Sequence, residues 1–192
     1  MDILQVITQE LGVQKWQVEA AVKLIDEGNT IPFISRYRKE ATGTLNDEQL
    51  RNLNERLTYL RNLEDKKNQV LSSIEDQGKL TEELKAQILA AQTLVVVEDL
   101  YRPYRPKRRT RAAIAKEKGL EPLANIIMLQ MTGKSIEEEA EAFVSEEKEV
   151  ASVADAIAGA KDIIAEHISD EADYRIHIRD LTAKKGTISS TA

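Results

Sequence analysis

The sequence predicts an all-α fold. Apolar residues recur at three- and four-residue spacing along almost the whole chain. Aromatic residues make up only 4 %, and 192 residues hold just 8 Gly and 4 Pro. A β-sandwich or barrel needs aromatic and β-branched strands and many turns, so this composition argues against one. Helix is expected over roughly 70 % of the chain, about double the ordinary globular share. The expected architecture is a multi-helix domain with helix-turn-helix-like elements and a long central helix bridging two lobes.

Taken in order, Asp2 can cap a short first helix, with Ile3, Val6, Ile7 and Leu11 on one side and Gly12 as its stop. A second helix runs from about Gln14 to Glu27, with Trp16, Ala20, Leu24 and Ile25 near one face. Pro32 suits the first turn of a third, which covers FISRYRKE and ends before Gly43. Asn46 and Gln49 have the spacing of a reciprocal capping box and open the longest periodic stretch, residues 46–77. At full length this helix spans roughly 48 Å. Leu50, Leu53, Leu57 and Leu60 form its stripe, residues 64–69 are polar all round, and the stripe resumes at Leu71 and Ile74. That pattern predicts lobes over residues 1–62 and 70–185 joined by this helix.

Beyond Gly78, Thr81 caps a helix to about Ala91 and Thr93 another through Tyr101. The run LVVVEDLY also fits a strand, but no partner strand is nearby. Two prolines keep RPYRPKRR irregular. Thr110 caps a helix ending at Gly119, Pro122 starts one through Met131, and Ser135 with Glu138 opens one to about Val144. Residues 150–168 form an amphipathic helix whose Ala-rich stretch around Gly159 lets a neighbour approach closely. Residues from Asp170 to about 183 fit either a helix or an alternating strand, and a loop follows.

Composition excludes several function classes. There is no Cys, hence no disulfide framework, thiolate metal site or thiol nucleophile. A cytoplasmic location is the expectation, with no signal peptide at the start and no apolar run of the ~20 residues a bilayer span needs. His167 and His177 lack a second ligand at metal spacing, so no metal or other cofactor is expected. No GxSxG, Walker A or GxGxxG pattern occurs, and the chain is expected not to be an enzyme.

The net charge of −6 is unevenly placed: residues 1–134 hold 21 Lys/Arg and 19 Asp/Glu, whereas 135–192 hold 6 and 14. The main chemical feature is YRPYRPKRRTR. Arg102, Arg105, Lys107, Arg108, Arg109 and Arg111 stand within ten residues, interleaved with Tyr101 and Tyr104. Guanidinium groups give planar, multi-donor contacts to phosphate, and a Tyr ring can stack on an unpaired base. These cations and Tyr104 are the candidate nucleic-acid contacts. The competing reading pairs them with acids such as Glu98, Asp99 or segment 137–149, with the Tyr rings packed inside. A second basic–aromatic set is Phe33, Arg36, Tyr37, Arg38 and Lys39, where helical spacing allows Phe33, Ile34 and Tyr37 to be buried. The first two helices match a helix-turn-helix in length, but Glu19, Asp26 and Glu27 suit a groove-reading helix poorly.

Three blocks, EGNTIPFISRYRKEATGTL (27–45), VEDLYRPYRPKRRTRAAIAKEKGLEPLA (97–124) and VADAIAGAKDIIAEHISDEA (153–172), resemble the bacterial Tex family of transcription accessory proteins. The likeness runs from about residue 3 to about 185 and covers the family's amino-terminal helical domain. The ribonuclease-H-like, helix-hairpin-helix and S1 domains of the family have no counterpart here, so the chain is expected to be a truncated piece. The resemblance implies a role in transcription through binding of nucleic acid, RNA or DNA, with RNA or another single strand as the partner, held mainly by the absent domains. It carries over no catalytic residue. Two expectations stay open: a nucleic-acid-binding module, or a structural and protein-interaction scaffold docking on RNA polymerase or other transcription proteins. No membrane partner is expected.

Overall fold

A computed structural model describes residues 2–191. Among them 69 % of the chain is helical and no strand forms. The chain divides into two compact units, Met1–Leu80 and Thr81–Ala192.

The first unit holds α1 (Ile3–Leu11), α2 (Lys15–Asp26), α3 (Ile31–Tyr37) and α4 (Asp47–Asp76). Its helix ends are set locally. The Asp2 carboxylate accepts the Gln5 amide, and Gly12 leaves α1 at φ 62°. Asn46 and Gln49 cap α4 reciprocally, at 2.8 and 3.0 Å. α1, α2 and α3 pack on α4, burying Ile7, Val18, Ala21 and Ile34 with Leu50 and Leu53. The buried face of α2 is Val18, Ala21 and Val22, not the face through Trp16, which is 53 % exposed. Two bidentate pairs at the surface fasten the same helices: Arg56 donates to Glu10 at 2.6 and 2.6 Å, and Arg61 to Asp26 at 2.7 and 2.9 Å. Hydrogen bonding from Arg56 holds the Glu10 carboxyl below the usual range, and Arg61 does the same for Asp26. Exposed pairs of this kind contribute at most about 1 kcal/mol each, so burial of the Leu stripe dominates.

The stripe on α4 does not lapse at 64–69. Leu63 and Val70 are buried, and between them Lys67 takes the stripe position at 1 % exposure. Its ammonium donates to Glu64 one turn back at 2.9 Å. A buried lysine needs such a partner, because an uncompensated ammonium away from water costs several kcal/mol.

The second unit contains α5 (Glu82–Ala90), α6 (Leu94–Tyr101), α7 (Arg111–Glu117), α8 (Glu121–Leu129), α9 (Ile136–Glu141), α10 (Val153–Asp170) and α11 (Ala172–Lys185). Thr81, Thr93, Thr110 and Ser135 each cap through the side-chain oxygen. α8 stops earlier than the apolar pattern suggests: Gln130 turns left-handed at φ 53°. α9 likewise ends at Glu141 rather than near Val144. Ser145 and Val150 then form an isolated antiparallel bridge, and the acids between them make a turn. α10 consequently begins at Val153, capped by Ser152, with Val150 buried before it.

α10 is the centre of this unit, with α7, α8 and α9 packed on it. Ala156 and Ala160 are fully buried. A Cβ added at Gly159 would lie 2.4 Å from Leu120 Cδ1 and 3.3 Å from the Ala115 Cβ. The small-residue stretch is therefore what lets α7 and Leu120 approach. Gly159→Ala gains about 1 kcal/mol of helix propensity but forces the buried Leu120 to move, which costs about 1–3 kcal/mol. The expected net effect is a loss of up to about 2 kcal/mol in denaturant unfolding.

Candidate nucleic-acid interface

The basic segment starts where α6 ends. Arg102–Tyr104 forms a single 3-10 turn, Pro103 and Pro106 keep the chain from continuing as α-helix, and the backbone stays irregular to Thr110. All seven candidate residues lie in the second unit, and they separate into two groups.

Arg102 and Lys107 are tied to the end of α10, although both stay partly exposed. Arg102 Nε donates to Asp170 Oδ1 at 2.9 Å. Lys107 donates to the other Asp170 oxygen and lies 3.4 Å from Glu166. Asp170 is only 8 % exposed and ends α10, where the helix dipole disfavours a carboxylate. The two cations neutralise it there, so segment 102–107 straps the end of α10. Tyr104 is half-buried and lines, with Leu100, Pro103 and Ile176, a cleft of about 650 Å³.

The other cations face outward. Arg105 lies 3.9 Å from Glu98, Arg109 3.3 Å from Glu117, and Arg111 3.6 Å from Asp162, all with well-exposed guanidinium side chains. Arg108 is exposed and makes no ion pair among the described residues. Long, exposed pairs contribute little and exchange easily for phosphate. Thr110 meanwhile caps α7, which begins at Arg111.

The acids that meet these cations are mostly not those nearest in sequence. Glu98 takes Arg105, but Asp99 is used by α11: Arg175 Nε donates to it at 2.7 Å and Arg179 Nη2 at 2.6 Å. Burial pushes the Asp99 carboxyl up, yet the hydrogen bonds and charge of the two guanidiniums outweigh it and hold the group below its ordinary range. In the acidic segment, Glu149 meets Lys118, whose ammonium donates to the Glu149 carbonyl at 2.9 Å. Sequence reasoning missed Asp162, Glu166 and Asp170 as partners. Their i, i+4, i+8 spacing on α10 was a readable signal of one acidic face.

Among the described residues no cluster of three or more His, Asp or Glu is arranged to hold a metal ion, and no helix is long and apolar enough to cross a membrane.

The geometry defines an all-helical module of two units with an irregular, partly outward-facing arginine segment. Comparison with known proteins places that module. Residues 1–75 match the Tex-like protein N-terminal domain and residues 132–192 the Tex central region-like model. The Transcriptional accessory protein Tex of Neisseria gonorrhoeae is 47 % identical over 180 residues, covering 94 % of this chain and 23 % of that protein. Protein tex of Bordetella pertussis is 45 % identical over 188 residues, 98 % of this chain and 24 % of its own length. The human S1 RNA-binding domain-containing protein 1 is 29 % identical over 185 residues, 96 % of this chain and 18 % of that protein. The chain belongs to the Tex family, and it spans about a quarter of the length of these bacterial relatives.

Proposed function

We propose that this chain is the amino-terminal helical module of a transcription accessory protein, without catalytic activity of its own, and that it adds an auxiliary contact to single-stranded nucleic acid, RNA foremost. Arg105, Arg108, Arg109 and Arg111 carry that contact, with Tyr104 beside them. Arg102 and Lys107 belong to the scaffold. What supports this reading is the division among the cations: two are fixed on the buried Asp170 at the end of α10, and four have only long or exposed ion pairs, or none. The name of the human relative, with its S1 RNA-binding domain, is consistent with RNA as the ligand of the longer proteins.

The contact is weak and non-specific, because phosphate pairing carries no sequence information and the net charge of −6 opposes it. Affinity no better than about micromolar is expected at physiological salt. Arg108→Ala with Arg109→Ala tests the assignment. The double variant should bind single-stranded RNA more weakly and lower the slope of log affinity against log salt by about 1–2. Its melting temperature should hold, since neither side chain has a buried partner.

The inward pairs of Arg102 and Lys107 favour a second reading, a scaffold that positions neighbouring domains and docks on transcription proteins. On that reading the same double variant leaves RNA binding, weak or absent, unchanged.

A further inference from the structure

The first unit carries a second basic–aromatic surface that the arginine segment does not explain. Between Gly28 and Asn46 the chain has three cations, Arg36, Arg38 and Lys39, and one acid, Glu40. Helical spacing allows Tyr37 to be buried, but only Ile34 of α3 is; Tyr37 is 66 % exposed. Arg36, Arg38, Lys39 and Glu40 are exposed too, and none of the four makes an ion pair among the described residues. Three of the chain's eight aromatic residues, Trp16, Phe33 and Tyr37, lie on or beside this short stretch.

The surface is held in shape from beneath. Phe33 and Tyr37 meet at 5.3 Å between ring centroids, tilted by 46°, and the Arg38 guanidinium lies over the Phe33 ring at 5.2 Å. The turn that follows is closed by its own threonines: the buried Thr42 hydroxyl donates to the Arg38 carbonyl at 3.2 Å, and the Thr44 amide to the Lys39 carbonyl at 2.8 Å. Gln17 of α2 pins the same turn by donating to the Thr42 and Gly43 carbonyls at 3.3 and 2.8 Å. Trp16 lies against Gly43 so closely that an added Cβ would come within 2.4 Å of its ring. The φ of 61° at Gly43 also belongs to the left-handed region. A rigid backbone thus presents one open ring, two unpaired cations and a third cation fixed over an aromatic face.

We propose that this surface is a second contact for single-stranded nucleic acid, with Tyr37 stacking on an unpaired base and Arg36 and Lys39 meeting the flanking phosphates. Exposed aromatic faces interleaved with free cations are what a flexible polyanion with π-faced bases requires. An acidic peptide would use the cations but leaves the open Tyr37 ring without a role. The proposal rests on the reading of this chain as a nucleic-acid-binding module, not on segment 102–111.

The test uses the 192-residue chain and a short fluorescein-labelled oligouridine, with a duplex of matched length for comparison. Tyr37→Ala should weaken single-strand binding by about fivefold or more and leave duplex binding unchanged, whereas Tyr37→Phe, which keeps the ring, should bind as the parent does. Arg36→Ala with Lys39→Ala should lower the salt slope by about 1. Because Tyr37, Arg36 and Lys39 are exposed, these variants should melt with the parent. Photocrosslinking with thiouridine in the same oligonucleotide should label the peptide containing Tyr37. Labelling confined to 102–111, with Tyr37→Ala binding normally, overturns this surface and leaves the arginine segment standing. Loss of binding confined to Arg108→Ala/Arg109→Ala overturns it as well. Absence of oligouridine binding by the parent chain overturns both surfaces. Equal loss on single strand and duplex contradicts stacking by Tyr37.

Discussion

Asp99→Ala should destabilise the second unit by about 2–3 kcal/mol and release α11. The carboxylate is 3 % exposed and receives two guanidiniums from that helix, Arg175 and Arg179. α11 has no buried residue, and Tyr174, Ile178 and Leu181 on it are exposed, so little apolar burial holds it in place. Removing a fully buried pair's partner costs about 3–5 kcal/mol; here the arginines are partly exposed and regain water, which puts the loss at the lower end. Hydrogen exchange should quicken across residues 172–185 while α10 stays protected. The pH dependence has a definite sign. The folded-state value of Asp99 lies below the unfolded one, so its contribution is complete above about pH 4 and is lost as pH falls through the folded value. Asp99→Asn should flatten that part of the acid limb.

Asp170→Ala is the second large effect. It removes the acceptor for both Arg102 and Lys107, and a loss of about 2 kcal/mol is expected in thermal or denaturant unfolding. Part of that cost is offset because a carboxylate no longer sits at a helix C-terminus. The informative readout is RNA binding. With the strap released and one negative charge fewer, Arg102 and Lys107 join the outward cations, and the salt slope should steepen. Weaker RNA binding in this variant would place Asp170 in support of the contact rather than in competition with it.

Most helix boundaries were legible because their signals are local. Asp2, Asn46 with Gln49, Thr81, Thr93, Thr110 and Ser135 with Glu138 all act over three residues, and each caps as the sequence indicates. Failures came where a distant partner decides. Nothing near Lys67 announces that a lysine fills an apolar stripe position, because the burial that selects it is tertiary. The hydrogen-bond partners of Lys107 and Asp99 lie 63 to 80 residues away. Sequence proximity therefore suggests Asp99 as a partner for the arginines of 102–111, whereas the fold gives it to Arg175 and Arg179. The bridge between Ser145 and Val150 shortens α9 and delays α10, and a run of glutamates with good helix propensity hides it. At the site, the cluster of cations was plain in the sequence, whereas its division into inward and outward groups depends on the acidic face of α10.

The measurement that bears most directly on the account is the salt dependence of single-stranded RNA binding, read with melting temperature, for the parent chain, Arg108→Ala/Arg109→Ala and Arg102→Ala/Lys107→Ala. Losing the outward pair should lower the slope by about 1–2 and leave melting unchanged, while losing the pair tied to Asp170 should lower melting and leave the slope nearly as it was. An outward variant that melts early yet binds as the parent does would contradict this expectation, and would make segment 102–111 a scaffold element throughout.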